Sequence, residues 1–256
     1  MRVRGFFLIL FVVVVCRAQV LAPTGTLRAV FLQTNPVQGR VDAKTGAVAG
    51  PAVDLTRELG RQLGVPVSIV GVPGARALID SVKNHTADIG FLAVDPTRAV
   101  DVDFSEVYAL SWSSYLVPVD SPLHAVADAD RKGIRIGAIT GDSPELYLSR
   151  NLKNADLKQY VNLPNGEVLR MLASGEFDAW AANRQRLIEM AASAPGVRVL
   201  SDNYFAVKQA IVVPKGDRAD LETINRFLND AKSSGLIKKA IDRAGLTSSV
   251  DVAPLQ

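Results

Sequence analysis

One cysteine, Cys16, and two histidines, His85 and His124, are the whole supply of thiol and imidazole in 256 residues. A zinc site or a cysteine nucleophile needs such groups clustered, and His85 and His124 stand far apart in loop-like surroundings. No metal or cofactor is therefore expected. A Gly-Xaa-Ser-Xaa-Gly elbow and a phosphate-binding loop are also missing. Lysine and arginine number 29 against 26 acidic residues, and no block of like charge occurs. That excludes the electrostatic footprint of a nucleic-acid binder. Only one apolar run is long, Phe6 to Val15, and it falls short of a membrane span.

That run follows Arg2 and Arg4 and is closed by Arg17 and the small Ala18. A positive start, a short apolar block and a small residue read as a secretory leader. The expected leader is 1–18, cut after Ala18, with a cut after Ala22 as the rival. Cys16 follows Val13, Val14 and Val15, where a lipid-anchored cysteine usually follows small residues. The mature chain then has no cysteine, so disulfide and thiol chemistry are excluded. Losing Arg2, Arg4 and Arg17 makes the basic and acidic totals equal. Roughly 235 residues remain, enough for one large domain or two smaller ones.

Strand-like and helix-like segments alternate along this remainder. Leu27 to Phe31, Val67 to Val72, Asp88 to Val94 and Ser114 to Val119 read as strands. Pro51 opens a helix carrying Leu55, Leu59 and Leu63 on one face, closed by Gly64 and Pro66. Ile134 to Ile139, Phe177 to Ala182, Val197 to Leu200 and Val207 to Val213 are later strands. Arg76 to Lys83, Val168 to Ala173, Leu221 to Ser233 and Leu236 to Ala244 are later helices. An echo recurs at an offset of 90. Leu78-Ile79-x-x-Val82 before Ala87-Asp88-Ile89-Gly90 matches Val168-Leu169-x-x-Leu172 before Phe177-Asp178-Ala179-Trp180. The echo predicts a βαβ sheet in each half, although α/β proteins repeat such units by default.

Several segments in this order resemble one family. They are Thr26 to Val30, Ala52-Val53-Asp54-Leu55, Ala87-Asp88-Ile89-Gly90, Asp95-Pro96-Thr97-Arg98, Val102-Asp103-Phe104-Ser105-x-x-Tyr108, and Ile211 to Asp217. Together they are similar to the extracellular solute-binding proteins of the polar-amino-acid type, family 3, which have the type II periplasmic binding fold. The resemblance implies an α/β, two-lobed molecule with two hinge-crossing strands and a central ligand cleft. Lobe 1 is expected at 19–113 and 208–256 and lobe 2 at 114–207, with crossings near Ser113 to Val117 and Tyr204 to Lys208. It also implies a monomer in the periplasm that closes on a small anionic ligand and delivers it to an inner-membrane ABC permease.

On the same resemblance, Arg98 grips a ligand carboxylate in a bidentate fork. Its alternative is a surface arginine paired with Asp95 or Asp101. Thr140 and Ser143 face it from the other lobe, with Ser143 expected as the N-cap and Pro144 as the first helical residue. Asp142, an awkward neighbour for an anion, is expected to point away or to lower affinity. Asn183 stands where amino-acid binders commonly place an aspartate for the ammonium. Leu32 replaces an acidic residue, Ala93 a hydroxyl, and Asn35 and Gly74 the aromatic lid. The expected ligand thus has a carboxylate and no required amine, either an organic acid or an atypical amino acid. Arg76 is a second cationic contact or a solvated helix residue, and Trp180 a stacking surface or core. Two rival functions stay open: a dehydratase-like enzyme using Asp95, Asp142 or Glu106 as general acid, and a ligand-sensing accessory protein.

Overall fold

The computed structural model describes residues 21–255; the leader, Cys16 and the cut after Ala18 lie outside them. The first half runs through β1 (Leu27–Leu32), β2 (Arg40–Val41), β3 (Val48–Ala49), α1 (Pro51–Leu63), β4 (Val67–Val72), α2 (Ala75–Lys83), β5 (Ile89–Ala93), β6 (Val102–Phe104) and β7 (Ala109–Pro118). The middle comprises β8 (Arg135–Ile139), α3 (Ser143–Asn151), β9 (Asp156–Tyr160), α4 (Asn165–Ala173), β10 (Ala179–Asn183), α5 (Arg184–Ser193) and β11 (Val197–Val199). The chain finishes with β12 (Phe205–Pro214), α6 (Arg218–Ser233), α7 (Leu236–Arg243) and β13 (Val250–Val252). Among the described residues no helix is long and apolar enough to cross a membrane.

The principal sheet runs β4-β1-β5-β12-β7-β10-β8-β9. Its two ends are built alike. β1 pairs parallel with β4 and β5, β8 pairs parallel with β9 and β10, and each group is capped by an antiparallel long strand. Those long strands, β12 and β7, pair with each other over Phe205 to Gln209 and Ala109 to Ser113. They are the two connections that cross between lobes. The apolar core divides with them. One side gathers Leu27, Phe31, Leu55, Phe91, Ile211 and Phe227, and the other Tyr115, Ile136, Leu148, Ala181 and Leu200. Leu21 and Ala22 are buried in the first of these clusters, so a cut after Ala22 would strip Leu21 from the core.

The offset of 90 is a structural repeat. α2 and α4 span equivalent residues, as do β5 and β10. Asp88 accepts from the backbone N–H of Arg28 at 2.7 Å and from its guanidinium at 2.5 Å. Asp178 does the same for Arg135 at 2.8 and 2.9 Å. Each carboxylate therefore ties the start of one parallel strand to the strand beside it, and the Arg135 hydrogen bonds outweigh burial to hold Asp178 below the ordinary range. Even the helix stops correspond. After α2, His85 donates to Val82 O and Thr86 to Ser81 O; after α4, Gly175 donates to Leu172 O and Glu176 to Met171 O. This geometry needs a left-handed residue, and φ is +69° at Gly175 but +55° at His85. A side chain there costs about 1 kcal/mol. His85→Gly is expected to stabilise the fold by up to about that amount, read as a higher urea midpoint with unchanged slope.

Another strained spot lies at the start of α6. Asp220 is 4 % exposed. Burial, then the nearby Asp217 and Asp88 charges, push its carboxyl up to about 7. Raised in the folded state, Asp220 keeps its proton there and loses it more readily unfolded. Its contribution is thus full below about pH 4 and is lost as pH rises to about 7. Asp220→Asn should flatten that decline, gaining on the order of 2 kcal/mol at pH 8 and nothing at pH 3.5. A melting series across this range checks it.

Candidate functional site

The cleft is made where the carboxyl ends of β1, β5 and β10 meet the loop after β8, the place where open α/β sheets converge. Leu32, Asn35, Ala93, Arg98, Ser143 and Asn183 all line one small cavity of about 40 Å³. Thr140 and Arg76 line a larger adjoining one of about 690 Å³. Every residue expected at the site is thus brought to one cleft.

Arg98 sits in the turn after β5 and is 5 % exposed. One terminal nitrogen donates to Ala93 O at 2.9 Å and lies 3.3 Å from Ser143 Oγ; the other donates to Gly141 O at 2.8 Å. Its guanidinium therefore reaches from β5 to the loop before α3, spanning the two lobes. The alternative pairing with Asp95 or Asp101 does not occur. Asp101 pairs with Lys83 at 2.6 Å and Asp95 with Arg150 of α3 at 2.6 Å. Asp95 also accepts from Thr97 N and Oγ1. Burial favours its neutral form, but the Arg150 and Thr97 hydrogen bonds win and hold it near 2. Burial, with a smaller push from the Arg150 charge, pulls the Arg98 guanidinium below its ordinary value, and Asp95 and Asp142 act the other way.

The loop facing Arg98 turns at Gly141, where φ is +79°, a conformation that favours glycine. The buried Glu145 carboxylate holds the turn by accepting from Gly141 N at 2.8 Å. The cap differs from expectation. Asp142 is the N-cap of α3, Ser143 is the first helical residue and Pro144 follows it. Two residues shift because Pro144 is accommodated within the first turn. Ser143 is then free to turn its hydroxyl to Arg98. The Asp142 carboxylate caps no backbone N–H and, instead of pointing away, lines both cavities.

Asn183 caps α5, accepting from Arg186 N at 3.0 Å, and donates to Asn35 Oδ1 at 3.3 Å. Its acceptor is thereby committed to the helix. Leu32 contributes a backbone N–H, which donates to Gln38 Oε1 at 2.9 Å. Gln38 continues to Gln209 at 3.2 Å and Gln209 to Ser111 Oγ at 2.8 Å. This buried chain couples the end of β1 to both crossing strands. Sequence reasoning missed it, and the one available signal was a glutamine set against the apolar run Ala210 to Val213. Arg76 pairs with Asp80 and remains 83 % exposed, a solvated helix arginine at the mouth of the larger cavity. Trp180 is fully buried, its ring over Gly137 and 5.3 Å from Phe177, so it is core. Glu106 lies away from the cleft, its backbone bound by Asn225. Other contacts join the lobes: Arg40 with Glu189, and Ser249 with Gln185.

Comparison with known proteins agrees with this fold. The family model for bacterial extracellular solute-binding proteins, family 3, matches residues 27–246. The glutamine-binding protein of Geobacillus stearothermophilus is 25% identical over 170 residues, 65% of this chain and 64% of that protein, just under two thirds of its length. The solute receptor for L-cysteine of Neisseria gonorrhoeae superposes with a TM-score of 0.75 over 93% of this chain and 99% of its own, at 22% identity. An ancestral amino acid-binding protein, a precursor of cyclohexadienyl dehydratase, gives 0.71 over 88% and 97%, at 24% identity.

Proposed function

Because the chain belongs to the bacterial extracellular solute-binding proteins, family 3, we propose that it binds a small carboxylate-bearing metabolite by hinge closure. It then delivers that metabolite to an inner-membrane ABC permease from the periplasm, as a monomer. The observation that carries this reading is Arg98. It is a buried guanidinium with no carboxylate partner among the described residues, placed where both lobes meet. A cation so placed gains most from a bidentate anion that both lobes then enclose. The N-terminus of α3, beside Ser143, adds donors on the opposite side.

The residues that commonly hold an amino group in such clefts are changed. Asn183 spends its acceptor on its own helix, and Leu32 and Ala93 bring no polar side-chain atom. This supports an organic acid or an atypical amino acid as ligand. For a dehydratase-like reaction, Asp95 is engaged by Arg150 and Glu106 lies elsewhere, leaving Asp142 without a partner base. The test is a thermal-shift screen of the mature protein against amino, keto, hydroxy, dicarboxylic and aromatic acids. A true ligand at a hundredfold excess over Kd stabilises by about 2.7 kcal/mol. Its methyl ester should give no shift; an equal shift with the ester overturns the carboxylate clamp.

A further inference from the structure

Asp142 is the feature that the carboxylate clamp leaves unexplained. As the N-cap of α3 it has extended backbone, φ −73° and ψ 150°, in which an aspartate ordinarily accepts from its own helix. It does not do so, and among the described residues its carboxylate takes no hydrogen bond and forms no ion pair. Burial pushes the Asp142 carboxyl up, Arg186 and then Arg98 act to keep it ionised, and Glu145 acts with burial. Glu145 is turned inward to Gly141, Ser149 and Gln159. Arg186 gives its side-chain donors to Asn165 Oδ1 at 3.0 and 2.8 Å, and Asp142 is the carboxylate that acts on it. Asp142 and Arg186 therefore both line the small and the large cavity, and neither has a charged contact partner among the described residues.

A bare organic acid gripped by Arg98 would meet the Asp142 charge at close quarters. A like charge in so enclosed a site costs several kcal/mol. A ligand with an ammonium beside its carboxylate removes that penalty and supplies Asp142 with a partner. Beyond this pair the 690 Å³ cavity adds Arg40, Arg76 and Arg186, with Glu189 already taken by Arg40. Its remaining polar side chains, Gln33, Thr34, Thr140, Asn162 and Asn165, are uncharged. Resting on the carboxylate clamp at Arg98, we infer that Asp142 receives the ligand's ammonium. The ligand is then an amino acid whose long, acceptor-bearing side chain enters the large cavity toward Arg186. The amine site has moved from the end of β10, where Asn183 stands, to the first turn of α3.

Matched pairs measured by isothermal titration test this: L-glutamate with glutarate, L-2-aminoadipate with adipate, and L-glutamine with 4-carbamoylbutanoate. The amino member of the preferred pair should bind at least about thirtyfold tighter. In Asp142→Asn, a change of nearly equal shape that loses no capping hydrogen bond, that ratio should fall to within about threefold. The amine-free partner should bind as well as before or better. Asp142→Ser serves as a second variant, and equal melting temperatures show that the fold is intact. An unchanged ratio, or a wild-type preference for the amine-free acid, overturns the inference while leaving the Arg98 clamp standing. If no member of any pair binds, both readings fall.

Discussion

Replacing Arg98 with alanine is expected to weaken binding of every carboxylate ligand by at least about a hundredfold. The guanidinium donates to Ala93 O and Gly141 O, and in the proposed clamp it serves closure and recognition together. Removing it loses both the bidentate contact and part of what holds the closed form. Arg98→Lys should recover only a small part, because an ammonium cannot satisfy two carbonyls and fork a carboxylate. Titration calorimetry gives the affinity, and a melt of the unliganded protein separates folding from binding. A loss of less than about threefold would mean that the ligand does not rest on Arg98 at all. The clamp reading would then fail, whatever the melt shows.

Trp180→Ala is expected to be the most damaging change to stability, costing about 3–5 kcal/mol. The ring is fully buried over Gly137, where an added Cβ would meet its Cε3 at 2.7 Å, and Tyr160 and Phe177 pack around it. The void left by alanine is too enclosed to close by small shifts. Ligand affinity of the molecules that remain folded should be unchanged. Trp180→Phe should cost much less, since the indole N–H has no partner to lose. A variant that stays stable but loses affinity would return Trp180 to the role of a stacking surface. Chemical denaturation with and without ligand separates the outcomes.

Much of the architecture could be read along the chain because it is locally written. α1 is bounded by Pro51 and by Gly64, which does take the left-handed conformation at φ +71°. The echo at 90 residues held down to the paired strand ties at Asp88 and Asp178, since each half solves the same packing problem with the same spacing. Arg98 was legible from its motif. Less visible were β9, an edge strand whose Asp156 to Tyr160 alternate little, and α5, which follows β10 with no intervening turn. Their hydrophobic signal is weak because each is only partly covered.

What no reading along the chain could supply was the choice of partners across the cleft. Asp95 sits three residues from Arg98 yet binds Arg150, and Asn183 turns its acceptor to its own helix. Asp142, expected to face away, lines both cavities and feels the charges of Arg186 and Arg98. Local patterns follow from periodicity and backbone sterics, which act over a few residues. Ion pairing depends on distance through space and on how much water remains between charges. Those quantities exist only once the crossing strands have brought the two lobes together. For that reason the family and the place of Arg98 at the cleft were within reach of the chain alone, while the setting of Asp142, on which the proposed ligand chemistry rests, came from the folded cleft.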